Sequence, residues 1–330
     1  MKHVSILIPN GQFSIVNIAG TLQILETANE MYFQQMGENL FKLELVAANN
    51  PARDLKHLYL IHPTKTLNEI SETDLIIVPA VHDDMEKVLT MNTSVMDWIK
   101  TWHDKGAEIA SFCIGVYLLA GAGILEGRTC STHWAHAQTL KERFPGITIK
   151  EENFITDDNG IYTSGGAFAF TNLVLYLAEK FGGRALSLQL AKTFMIDPDK
   201  GSQATFSIFN GQKTHKDAVV LKVQDFIESN YEDKFNVEDL SCQHAAARRT
   251  LERRFKKATG NSINEYVQRV RIEAAKKCLE KGQKTVSEVM YEVGYNDAKA
   301  FREVFKKHSG ISPLNYRQKF GSNQVAMFKV

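Results

Sequence analysis

The chain has 330 residues, more than one hydrophobic core usually serves, so about two domains of roughly 100 to 200 residues are expected. Hydrophobic residues make up 44% and charged residues 23%, and only 7 Pro and 21 Gly are present, which excludes intrinsic disorder and a long low-complexity tract. The net charge of +1 argues, over the whole chain, against a strongly basic nucleic-acid binder. Division near Lys216 reverses that reading. Residues 1–215 hold 17 Lys and Arg against 23 Asp and Glu, and residues 216–320 hold 21 against 15, balances of −6 and +6, with Lys329 in the tail. Such asymmetry points to a nucleic-acid-binding C-terminal part carried by an acidic partner domain. Drift between two solvated surfaces is the bland alternative.

Cys113, Cys130, Cys242 and Cys278 show no short metal-ligand spacing, which suits free thiols in a reducing cytosol and predicts neither a metal nor a cofactor. The start MKHVSILIPN lacks a long apolar core and a small-residue cleavage site, so no secretory signal is expected. The uncharged stretches Ile109 to Leu125 and Asn159 to Ala178 approach membrane-span length, but Gly, Ser, Thr or Asn interrupt both.

In chain order, His3 to Ile8 reads as a buried strand, followed by a helical stretch from Val16 to Met36 with Ile18, Leu22, Leu25 and Tyr32 near one face. Phe41 to Ala47 and Asp74 to Val78 are the next strands. A helix over Val95 to Lys105 leads into a fourth strand, Glu108 to Phe112, and an apolar helix, Ile114 to Gly123. A short strand at Thr129 to Ser131 and a helix from Trp134 to Phe144 precede a hairpin, Phe154 to Thr163, folded over Asp157-Asp158-Asn159-Gly160. Helices at Phe170 to Phe181 and Arg184 to Phe194 close this half. The rhythm predicts a mostly parallel sheet covered on both faces. Asp197 to Lys216 carries Pro, two Gly and many polar residues without periodicity. It reads as a linker, giving bounds of 1–196, a linker 197–215, a second domain 216–320 and a tail 321–330. Beyond it every element is helical: 216–231, 237–243, 247–258, 263–280, 285–292, 297–308 and Pro313 to Phe320.

Two segments about 50 residues apart repeat a helix-turn-helix pattern. In the second, Val286 to Val293 is a short helix, Gly294 sits where a tight turn needs positive φ, and Asp297 caps the next helix. Phe301 and Phe305, at i and i+4, must face the core, which turns Lys299, Glu303 and Lys306 outward with Ala300 and Arg302 beside them and Asn296 in the turn. In the first copy Leu240 lies in the leading helix. Leu251 and Phe255 anchor the second helix, which turns Arg249, Arg253, Lys256 and Lys257 outward, with Arg248 and Thr250 on its first turn. Outward cations on a second helix are what groove docking requires, because Lys and Arg neutralise phosphates and Arg grips guanine edges.

With Arg249 to Phe255 (RTLERRF), Thr259-Gly260, Tyr266, Arg269 to Ala275 (RVRIEAA), Val286 to Gly294, Phe301 to Phe305 and the closing Gly310-Ile311-Ser312-Pro313 with Tyr316-Arg317, the segment resembles the DNA-binding domain of AraC/XylS-type transcription regulators. The resemblance covers about 100 residues and implies two recognition helices entering successive major grooves. The first copy departs from the family pattern at Ala245-Ala246-Ala247, where a capping Ser is usual. Its loss should cost about 1 kcal/mol locally and shorten the turn.

In the first half, Ala110 to Gly115 (ASFCIG) stands at a strand-to-helix junction. A nucleophile there occupies a strained turn, with a backbone N–H beside it as an anion donor and a Gly two residues on for close packing. A helix N-terminus lowers a thiol pKa, so Cys113 is the cysteine whose context predicts reactivity. A buried structural cysteine fits the same context. Together with Leu118 to Arg128, Ser131 to Trp134 and Tyr162 to Gly166, the motif resembles the ThiJ/PfpI branch of the class I glutamine amidotransferase-like superfamily. That implies an α/β flavodoxin-like sandwich, here followed by an all-α tandem helix-turn-helix domain. The order of the two resembles the GlxA-type family of transcription regulators over nearly the whole chain, and implies a small-molecule sensing pocket at the elbow lined by Asn17, Cys113, Ile114, His133, Ser164 and Gly165.

Enzymes of that superfamily usually place a carboxylate near the thiol, and Asn17 stands where related sequences carry Asp. An amide cannot shuttle a proton at neutral pH, and Ile114 follows the cysteine in place of His or Thr. Cys113 and His133 remain the catalytic candidates. The expectation is a bacterial, cytoplasmic, homodimeric transcription regulator that binds double-stranded promoter DNA and an unidentified small effector. It would contact RNA polymerase if it activates, and it would have no membrane partner. The alternative is a Cys-dependent hydrolase, hydratase or amidase with an accessory DNA-binding domain; redox sensing through Cys113 is a third reading.

Overall fold

The computed structural model describes residues 1–49, 53–55, 59–198, 202–234, 236–244 and 246–322. Residues 199–201 of the linker, Ala245 and residues 323–330 with Lys329 lie outside the described residues. The chain divides into two compact units, Met1–Gln203 and Ala204–Val330, so the segment read as a linker is shared between them.

The first unit is built on seven strands: β1 (Lys2–Ile8), β2 (Phe41–Ala47), β3 (Lys65–Thr66), β4 (Leu75–Val78), β5 (Glu108–Phe112), β6 (Ile155–Asp158) and β7 (Ile161–Ser164). Their spatial order is β6-β7-β5-β4-β1-β2-β3, parallel throughout except for the β6/β7 hairpin. The two-residue side-chain period of a strand sorts the apolar runs onto two faces. Leu7, Ile76, Val78, Ile109 and Ile161 enter one core, beneath α2 (Met85–Met91), α3 (Thr93–Asp104), α4 (Val116–Gly121) and α5 (Ala137–Arg143). Ile6, Ile8, Leu75, Ile77, Ala110, Phe112 and Tyr162 enter the other, against α1 (Ile15–Met36), α6 (Phe170–Gly182) and α7 (Arg184–Thr193). Burial on both faces is why these strands read as continuous hydrophobic runs.

Three details differ from the sequence reading. The apolar helix expected at Ile114 to Gly123 is a 3-10 turn, Cys113–Gly115, followed by the short α4. The strand at Thr129 pairs with Thr148–Ile149 outside the main sheet. Helix α2, capped by Asp84, carries too few residues for its periodicity to stand out.

The second unit holds α8 (Ala218–Ser229), α9 (Val237–Gln243), α10 (Arg248–Thr259), α11 (Ile263–Glu280), α12 (Val286–Glu292), α13 (Ala298–Ser309) and α14 (Pro313–Phe320). It has two cores joined by one helix. The first half of α11 gives Ile263, Tyr266 and Val267 to a core with Val223, Leu240, Leu251 and Phe255. The second half gives Ile272, Ala275 and Leu279 to a core with Val289, Met290, Phe301, Phe305 and Tyr316. No described helix is long and apolar enough to cross a membrane.

Candidate functional site

Two places carry the residues singled out from the sequence. The first is the elbow after β5. Cys113 adopts φ +54°, a backbone conformation uncommon for a residue with a side chain. Its neighbour Gly115 is required, because a Cβ there would run into the carbonyl oxygen of Pro79. The Thr132 hydroxyl donates to the Cys113 carbonyl at 3.1 Å and fixes the turn from the other side. The thiol itself is buried, and desolvation pushes it up to about 11, only partly opposed by the Ile114 N–H. The lowering expected from a helix N-terminus is therefore reversed. A three-residue 3-10 turn offers a single N–H, too little to offset the loss of water.

Asn17 is buried in the first turn of α1, where its side chain joins two backbones. Its Oδ1 accepts from the Ala80 N–H at 3.1 Å and its Nδ2 donates to the Ala167 carbonyl at 3.4 Å. A carboxylate could make the first bond and not the second, so the amide has a positive structural reason here. His133 caps the turn that follows it: Nδ1 accepts from the Ala135 N–H at 3.2 Å, which leaves the proton of the neutral ring on Nε2. Burial, then the neighbouring His136, lower its pKa, and His136 is lowered by burial and by His82. His133 and His136, three residues apart on one turn, thus both resist protonation. Among the described residues no group of three His, Cys, Asp or Glu is arranged to hold a metal ion. Ile114 is buried beside the thiol, and Ser164 ends β7 with its buried hydroxyl, like that of Ser111, unpartnered among the described residues.

Sequence reasoning missed Gln203. It is buried, its amide packs against Gly165 where a Cβ would clash, and its Nε2 donates to the Thr132 carbonyl at 2.8 Å and the Asn153 carbonyl at 3.3 Å. Nothing in an aperiodic polar segment marks one glutamine as buried, so no local signal was available.

The second place is the pair α10 and α13. Leu251 and Phe255, and Phe301 and Phe305, are each fully buried at i and i+4. The opposite faces expose Arg248, Arg249, Thr250, Arg253, Lys256 and Lys257 on α10, and Lys299, Ala300, Arg302 and Lys306 on α13, with Asn296 exposed in the preceding turn. Of the cations, Arg248 is occupied by Glu238 at 3.3 Å and Glu252 at 3.4 Å. Arg249, Arg253, Lys256, Lys257, Lys299, Arg302 and Lys306 form no ion pair among the described residues, whereas Arg254 and Lys307, pointing elsewhere, are paired with Asp217 and Glu265. The turns differ as expected. Four residues separate α9 from α10 and five separate α12 from α13. Ala247 caps α10 without a side-chain bond, whereas Asp297 accepts from the Ala300 N–H at 2.7 Å. Gly294 has φ +81°.

Comparison with known proteins finds a family for a stretch of each unit. Residues 6–180 match the DJ-1/PfpI family and residues 242–319 match a helix-turn-helix domain. The HTH-type transcriptional regulator GbdR of Pseudomonas aeruginosa is 23% identical over 312 residues, 93% of this chain and 82% of the relative. The HTH-type transcriptional regulator GlxA of Rhizobium meliloti is 27% identical over 224 residues, 66% of this chain and 67% of the relative. Among solved structures, a candidate transcriptional regulator of Vibrio parahaemolyticus superposes with a TM-score of 0.53 at 26% identity, covering 59% of this chain and 98% of its own. Drosophila melanogaster DJ-1beta superposes with a TM-score of 0.50 at 16% identity over the same shares, a likeness of fold.

Proposed function

We propose, for a chain that belongs to the DJ-1/PfpI family and continues into a tandem helix-turn-helix domain, that it is a transcription regulator whose first unit senses a small molecule and whose second reads promoter DNA. The observation that carries the DNA-binding half is the pair of second helices, each anchored by two buried apolar residues and each presenting cations without carboxylate partners among the described residues. Leaving such cations unneutralised on one face is unfavourable by itself and becomes favourable against phosphates, with release of counterions. Arg253 on α10 and Arg302 on α13 are assigned to base edges or phosphates, with Arg249, Lys256, Lys257, Lys299 and Lys306 as further backbone contacts. Thr250, Asn296 and Ala300 are the uncharged groups placed to meet bases. Binding of the full chain to a duplex selected from a random library should weaken steeply as salt rises, and a salt-independent or absent interaction would sink the reading.

For the elbow, a neutral set of polar groups, buried at Asn17, Ser164, Gly165 and the thiol and half-buried at His133, supports binding of a small ligand over turnover. A thiol held near 11 is protonated at neutral pH, Asn17 is engaged with two backbones, and His133 is a weakened base with one nitrogen occupied. Cys113→Ser should therefore leave DNA binding intact. Hydrolysis of amide or carbonyl substrates that disappears in this variant would establish the enzyme reading instead. Dimerisation through the first unit is part of the proposal and is read by sedimentation of the full chain. Contact with RNA polymerase in the case of activation, and a cytoplasmic location, follow from the same reading.

A further inference from the structure

Residues 203–213, read from sequence as plain linker, are seated at both ends. At the first end is the buried Gln203, whose Nε2 bonds the carbonyls of Thr132 and Asn153 and whose N–H bonds the Glu152 carbonyl at 2.8 Å. Thr132 holds the Cys113 carbonyl, and Gly165 packs on the Gln203 amide. The glutamine thus sits as a plug behind Cys113 and Gly165, two of the residues assigned to the sensing pocket.

At the other end the same chain lies along α11 inside the second unit. Lys276 is 3% exposed and Glu273 8%, with 3.6 Å between their charges. Each charge is completed by linker backbone: Lys276 Nζ donates to the Ser207 carbonyl at 2.7 Å, and Glu273 accepts from the Phe209 N–H at 3.1 Å. The strap then touches both helix-turn-helix halves. Phe209 packs edge-on to Tyr266 at 5.2 Å, the Gln212 carbonyl accepts from Gln224, and Lys213 reaches Asp225 and Glu228 at 2.7 and 2.6 Å. Toward the second half, Phe206 meets Phe320 at 5.9 Å and lies under Lys319. A cleft of about 530 Å³ runs beside Phe209 and Gly211.

We propose that residues 203–213 are a two-ended latch: Gln203 reads the state of the elbow pocket, and the strap Ser207 to Lys213 passes it to α11 by gripping or releasing the buried Glu273/Lys276 pair. Release leaves two charges short of partners in a dry place, so the docked strap is favoured until something at the plug competes. Residues 203–206 form a 3-10 turn. At about 2 Å per residue against about 3.4 Å fully extended, that turn holds roughly 6 Å of slack in the chain between the plug and the strap. The latch rests on the sensing role given to the elbow above.

The test uses the full-length chain with Gln203→Ala, Gln203→Glu, which keeps the shape and removes the Nε2 donor, Phe209→Ala, and the Gln203→Ala/Phe209→Ala double. Amide hydrogen exchange and affinity for a duplex selected from a random library by the wild-type chain are measured, with thermal melting as the folding control. The latch predicts faster exchange at residues 207–213 in both Gln203 variants, a loss of duplex affinity of about fivefold or more in each single variant, and a double no weaker than the worse single, because both act through one strap. Unchanged exchange at 207–213 in a folded Gln203 variant, or losses that multiply in the double, overturns it. If no metabolite in a thermal-shift screen binds the chain, the sensing role fails while the variant effects still decide the latch. If one binds and strap exchange does not change, the latch fails and the sensing role stands.

Discussion

The two helix-turn-helix halves share α11 and solve the same problem with different chemistry. The second is held by caps: Thr285 and Glu288 form a reciprocal capping box on α12, and Asp297 closes α13. The first has Asn236 capping α9 but lacks a side-chain cap on α10, and that helix is held by ion pairs instead. Arg254 grips Asp217 with two bonds of 2.6 and 2.9 Å, and Asp217 itself caps α8; Arg248 reaches Glu238 on α9. Caps are short-range hydrogen bonds that salt barely touches, whereas exposed ion pairs weaken as the ionic strength rises. The α10 end of the reader is accordingly the one whose geometry should loosen in high salt, in addition to any salt effect on DNA.

The largest test of the comparison is in the cores. Phe255→Ala and Phe305→Ala should each cost about 3–5 kcal/mol in denaturant unfolding. Because α11 belongs to both cores, each should lower one shared transition; a variant that shifts one transition and leaves another in place would show that the halves unfold separately. Next, operator affinity should fall by about 1–3 kcal/mol for whichever of Arg253→Ala and Arg302→Ala removes a base contact, with specificity relaxed at that half-site alone. A variant that touches only phosphate should instead lower the salt slope by about 1.

A pH difference sharpens the contrast further. His308 on α13 is pushed down to about 4, first by burial and then by Arg269, Lys307 and Lys276. The corresponding position on α10, three residues after Phe255, is Ala258. A histidine with a lowered folded pKa binds fewer protons folded than unfolded, so its contribution is complete above about 6.5 and is lost as pH falls toward 4. His308→Gln should flatten the fall in melting temperature over that window; an unchanged profile would assign the acid sensitivity elsewhere. The smallest effects are at the caps. Asp297→Ala should cost about 1 kcal/mol and Ala247→Ser should gain a similar amount, making the two halves more alike.

Much of this was legible because it obeys a period. Phe301 and Phe305, or Leu75 to Val78 alternating between two cores, declare their burial through spacing alone, and the helix start at Asp297 declares itself through its cap. Of the two readings of the thiol, the sequence could not choose, because the motif shows the N–H next door and hides the water removed. Asn17 read as a missing acid, yet its value lies in Ala80 and Ala167, contacts 63 and 150 residues away that no local pattern encodes. Ser207 and Phe209 escaped for a related reason: they are bound through backbone atoms, which every residue type possesses.

Helix α11 has a further meaning for the DNA. Its 18 residues make a rod of about 27 Å that turns about 100° per residue, and both recognition helices are fastened to it. It therefore acts as a ruler with a phase. One residue inserted near Arg269 would move the halves apart by only about 1.5 Å while swinging one recognition helix about 100° around the axis, off its groove. Insertion of a near-complete turn, three or four residues, would restore the phase and ask instead for an operator with its half-sites about 5 Å further apart.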